Sequence, residues 1–167
     1  MKRQLTLFAF LLFAITVNAI SPAKAQNTVL SKSINTVIDN YLALKDALTT
    51  ADGNTAETAA KALLASLNTV PQSGLTKDQA ALFGKLEYDS RHISEVNLVP
   101  HQREHFASLS KNLFTLIKGL KLNKKELYWE YCVMRSTYYI NGSPKGKDPY
   151  MGMSSCSKVK EILPGVK

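Results

Sequence analysis

Thiols are scarce in this chain: two cysteines, Cys132 and Cys156, occur in 167 residues. That excludes a multi-disulfide scaffold and leaves room for one bridge or one thiol-based metal site. No Cys-x-x-Cys is present, which argues against a thioredoxin-like redox centre, and the absence of Cys-x-x-Cys-His excludes covalent haem. Glycine-rich phosphate loops are missing as well. Neither cysteine stands at a recognisable spacing from a histidine, so nothing marks a nucleophile with its base, and the chain reads as a non-enzyme. Acidic residues are outnumbered 13 to 21 by lysine and arginine. The basic residues are spread along the chain, gathering only mildly at Lys121, Lys124 and Lys125, which is no nucleic-acid footprint. Internal repeats and low-complexity tracts are also lacking.

Long apolar runs are absent except at the start. Lys2-Arg3 precedes the apolar stretch Leu5 to Ile20, and Ala23-Lys24-Ala25 follows as a small-x-small cleavage pattern. Residues 1–25 therefore read as a signal peptide, and the protein as exported and periplasmic. Cutting 25 residues from 167 leaves 142, and losing Lys2, Arg3 and Lys24 lowers the formal net charge from +8 by three to +5. Residues 26–167 fit one helical domain with a single core. No later stretch would cross a membrane, so no stable span is expected after cleavage.

The body of the chain is patterned for helices. Leu30, Ile34, Val37, Ile38, Tyr41, Leu44 and Leu48 recur at helical spacing. Asn54 with Glu57 predicts the start of a second helix, whose face carries Ala56, Ala60, Leu63 and Leu67. Thr76 with Gln79 predicts a capping box for a third helix through Leu82, Phe83, Leu86 and Ile93. Pro100 suits the first turn of a fourth, with Phe106, Leu109, Leu113, Leu116, Ile117 and Leu120 as its stripe, ending near Asn123. The expected fold is mainly α, a four-helix up-down bundle with a small C-terminal hairpin or loop lobe.

From Leu127 the apolar period changes from 3.6 to 2, so an extended segment would put Cys132 and Met134 on one face. Asn141-Gly142-Ser143-Pro144 and Asp148-Pro149 are turn signals. The lobe 128–156 holds both cysteines and every methionine except the initiator. Cys132-x-Met134 and Met153-x-x-Cys156 are the sharpest chemical signal, because thiolate and thioether ligands select Cu(I). Two readings stand side by side. One is a soft-metal site of Cys132, Met134, Met153 and Cys156, with Met151 as a further thioether. The other is a Cys132–Cys156 disulfide with methionines as core filler, which on the chain-entropy account contributes roughly 3–4 kcal/mol. His101 and His105, four apart on one helix face, are a secondary metal pair, and His92 reads as a capping or packing residue. Glu126 and Glu130 read as surface charges, and Tyr138, Tyr139 and Tyr150 as exposed aromatics for a partner.

Tyr128-Trp-Glu-Tyr-Cys-Val-Met134, Asp148-Pro-Tyr-Met-Gly152 and Met153-Ser-Ser-Cys156 together resemble the hallmarks of the exported domain-of-unknown-function family 3347. Tyr41 to Leu48, the alanine-rich second helix, His92-Ile93 and Gln102-Arg-Glu-His-Phe106 are similar to that family too. The resemblance implies a helical exported domain, found alone or attached to heavy-metal efflux adaptor proteins and thought to bind copper or related ions. Carried over by position, its ligands would be Cys132, Met134, Met153 and Cys156. Val133 stands where the family has proline, Asp148 where it has asparagine, and Ser157 where it has glycine.

Overall fold

The computed structural model describes residues 22–153 and 156–166. Residues 1–21, which hold most of the expected signal peptide, lie outside them. Four helices come first: α1 (Pro22–Thr49), α2 (Gly53–Leu67), α3 (Lys77–Ser94) and α4 (Val99–Leu120). Three strands follow, β1 (Leu127–Cys132), β2 (Thr137–Asn141) and β3 (Ser157–Leu163), as an antiparallel sheet in the order β2-β1-β3. The chain is thus mainly helical with a small C-terminal sheet.

The helix ends follow local chemistry. Asp52, extended at φ −93° and ψ 98°, caps α2 by accepting from the amides of Asn54 and Thr55. The cap therefore lies two residues before the expected Asn54. At α3 the capping box forms as the spacing predicts: Gln79 N donates to Thr76 Oγ1, and Thr76 N donates to Gln79 Oε1. Pro100 stands in the first turn of α4, which stops at Leu120 because Lys121 takes a left-handed conformation. α1 packs on α2, α2 on α3 and α3 on α4, and α4 also meets β2.

The apolar stripes read from sequence are the core: Ile34, Val37, Ile38, Tyr41, Leu44 and Leu48 of α1 are buried with Phe83, Leu86, Phe106, Leu113 and Ile117. A buried hydrogen-bond relay joins the sheet to this core. Ile140 N donates to Tyr41 Oη (3.0 Å), Tyr41 lies 2.6 Å from Ser110 Oγ, and Ser110 donates to Phe106 O (2.7 Å). Since the Ser110 proton is used on Phe106, Tyr41 must be the donor to Ser110.

Each sheet face has a separate character. Trp129, Tyr131 and Tyr138 stack on one face, where Trp129 also lies 4.2 Å from the Phe114 ring of α4. Glu130, Cys132, Tyr139 and Asn141 occupy the other. Trp129 pairs with Glu161 and Glu130 with Val159, so Lys160 is the extra residue of a bulge in β3.

Glu130 is buried rather than a surface charge, on the sheet face it shares with the buried Cys132, Tyr139 and Asn141. Its carboxylate accepts from Tyr139 Oη (2.6 Å) and Asn141 Nδ2 (3.2 Å), and burial raises its pKa above the ordinary value. Tyr139 and Tyr150 are buried too, leaving Tyr138 as the exposed member of the expected trio. Tyr139 alternates onto the Glu130 face, and Tyr150 packs against Phe106. The Asn-Gly-Ser-Pro signal marks the end of β2, and the hairpin turn itself is Val133–Ser136, closed by Ser136 at φ 49°.

Candidate metal centre

Cys132 is the last residue of β1 and Cys156 immediately precedes β3. Antiparallel pairing of the two strands, with Cys132 opposite Ser157, brings the thiols together across 24 residues of sequence. Their sulfurs are 3.0 Å apart, both are buried, and both are free thiols. Val133 N donates to Cys156 O (3.2 Å), which fastens the β1–β2 turn to the segment entering β3.

The sequence reading missed Asp148. Its carboxylate is fully buried, and ligand atoms of Cys132, Asp148 and Cys156 all lie within 4.8 Å of one another. Asp148 also folds its own loop. It accepts from Tyr150 N (2.6 Å), Met151 N (3.0 Å) and Ser157 Oγ (2.7 Å), while its backbone bonds with Met153 and Gly152. Gly152 takes φ +69° beneath Thr49 O, a conformation and a clearance that suit glycine. From the other side, Arg103 of α4 donates to Pro149 O and to Leu48 O (2.8 Å each), tying the loop to the end of α1. The signal available in sequence was the Asp-Pro turn, which announces a bend but says nothing of a neighbour.

The thioethers are placed differently. Met134 lies two residues past the strand, in the turn, and is 63% exposed; Met153 is 40% exposed and Met151 half-buried. β1 ends at Cys132, so strand alternation does not carry Met134 onto the cysteine face. The centre is thus a buried dithiol with a carboxylate, flanked by two surface segments that carry methionines.

Burial, then contacts with Asp148 and Cys156, push the Cys132 thiol up to about 12. At neutral pH it is protonated, and a protonated thiol is a poor nucleophile. A bound cation would reverse that, since metal binding takes the thiolate and releases the proton.

A family model described as "Protein of unknown function (DUF3347)" matches residues 37–125, a little over half of the chain. The chain belongs to the DUF3347 family. No curated protein and no solved structure matches it. The matched DUF3347 stretch runs from α1 to just before β1. It contains His92, His101 and His105, whereas the dithiol and its methionines lie beyond it.

Proposed function

We propose that this DUF3347 protein is a non-enzymatic, exported, periplasmic metal-handling protein. It takes up Cu(I), or the chemically similar Ag(I), at Cys132 and Cys156, for sequestration or for transfer to a metal efflux adaptor. The observation that carries this reading is the pair of buried thiols in contact beside the buried Asp148. Two sulfurs and a carboxylate kept from water form a centre that favours a soft cation over protons once the cation is present. Met134 and Met153 supply thioethers at the rim, where long unbranched side chains can turn toward an arriving ion. The four helices, taken as an up-down bundle, act as the rigid support.

The test is an anaerobic competition titration of the reduced protein with Cu(I) against a chromophoric chelator. One equivalent should bind, Cys132→Ser should lose that binding, and affinity should rise with pH by about tenfold per unit for each thiol proton displaced. Failure of the reduced protein to compete sinks the proposal.

The 3.0 Å contact also favours a second reading, a Cys132–Cys156 disulfide that staples the end of β1 to the start of β3. Mass spectrometry of protein taken from its native compartment separates the two. A mass two hydrogens light and without metal supports the staple; a metal adduct supports the carrier.

A further inference from the structure

A cavity of about 250 Å³ opens between α4, the β1–β2 hairpin and the loop that precedes β3. Each segment contributes to its wall: Arg103, Glu104 and Ala107 from α4, Arg135 and Thr137 from the hairpin, and Tyr150 from the loop. Two guanidinium groups thus line one small space. Burial and, next, the neighbouring Arg135 lower the Arg103 pKa, while Asp148 and Tyr150 act in the opposite direction. A cleft lined mainly by one sign of charge concentrates the opposite ion.

The nearby acids leave this positive charge in place. Among the described residues neither arginine enters an ion pair. Glu104 is exposed, and its carboxylate lies 3.6 Å from His101 Nδ1. Asp148 accepts instead from Tyr150 N, Met151 N and Ser157 Oγ. Arg103 is also held in position, because its Nε–H and one Nη2 hydrogen are committed to Pro149 O and Leu48 O, at 2.8 Å each. Three of its five donors remain, two of them as the outer Nη1–Nη2 fork, whose spacing matches the two oxygens of a carboxylate. Arg135 stands in the exposed turn Val133–Ser136, and Ala107 with the buried Tyr150 gives the cavity an apolar wall.

We propose that this cavity is a carboxylate-binding site, in which Arg103 grips a small organic acid through its outer fork and Arg135 closes over it. The volume falls below the roughly 300–1,000 Å³ of pockets for drug-sized ligands, so the acid is only a few carbons long. The apolar wall favours a carbon-bearing acid over inorganic phosphate. Bound there, the acid would join the turn that carries Met134 to α4. This site does not depend on the thiol reading.

The test is an NMR titration of the full chain with succinate, beside arms with inorganic phosphate and with sodium chloride at matched ionic strength. Succinate should give saturable shifts in the Arg103 and Arg135 side-chain resonances and at the Ala107 and Thr137 amides. Arg135→Gln should weaken binding roughly tenfold or more, the worth of one charge-assisted contact. Glu104→Gln removes the opposing charge of the lining and should tighten it, a gain that a merely structural role would not produce. Both changes fall on exposed side chains, so they carry the test even should a change at Arg103, which holds Pro149 and Leu48, prevent folding. Shifts that do not saturate, an equal response to chloride, phosphate bound as tightly as succinate, or an affinity unmoved by Arg135→Gln would overturn the proposal.

Discussion

Among single residues, Glu130 is a carboxylate buried under opposing influences. Its carboxylate is surrounded by Tyr139, Asn141 and, at longer range, Lys45, yet burial outweighs these partners and its pKa is raised in the folded state. The folded protein therefore holds a proton on Glu130 where the unfolded chain has released it. By linkage, the stabilisation that Glu130 provides when protonated is complete below its ordinary pKa of 4.5 and is lost as pH rises through the raised folded value. Glu130→Gln keeps the shape and cannot ionise, so its urea midpoint should not show this decline. An identical slope in the two proteins across that window would place the loss elsewhere. Asp148 is a residue of another kind. Its carboxylate accepts from two amides and a hydroxyl, so it shapes the methionine loop while standing beside the thiols.

At the scale of elements, the sheet is held to the helices at few points, and Tyr41 is the most buried of them. Its hydroxyl is both acceptor for Ile140 N–H in β2 and donor to Ser110 in α4, and its ring stacks on Phe106 at 5.0 Å. Tyr41→Phe keeps the ring and leaves the Ile140 amide without its partner. A loss of about 1–3 kcal/mol is expected, the cost of a buried unpaired donor, together with faster hydrogen exchange at Ile140. If stability and protection both remain, the relay does not hold the sheet. The start of α2 is fixed as closely: a Cβ on Gly53 would come within 1.9 Å of Asn97 O, so the turn into α2 and the α3–α4 connection accept one another only with glycine there.

For the whole molecule, the consequence of the thiol pair lies in chain topology. β3 is the last element and pairs with β1, so the sheet closes only after residues 142–156 have looped out and returned. A Cys132–Cys156 bond would tether that excursion even in the unfolded chain. Oxidised protein should therefore exceed reduced protein in stability by roughly 3–4 kcal/mol, read from urea midpoints with and without reductant. Equal midpoints would show that the thiols remain unbridged. Among the described residues no helix is long and apolar enough to cross a membrane.

The helices were legible because their signals are local. Apolar residues at 3.6 spacing, the Thr76–Gln79 box and Pro100 are decided within a turn or two of the backbone, and they stand where the pattern puts them. Even the miss at α2 is local, since Asp52 and Asn54 both cap well and only the backbone angle chooses. By itself, then, the sequence determined a helical scaffold and a sulfur-bearing lobe with two cysteines. Which side chains meet there was settled by packing. Asp148 joins the thiols because β1 and β3 pair, and Met134 stays outside because the strand ends at Cys132. Glu130 and Tyr139 are buried together because β1 pairs with β2, and three histidines gather because α3 packs on α4. The two thiols stand 24 residues apart in the chain, and only the pairing of their strands over the common core brings them within reach.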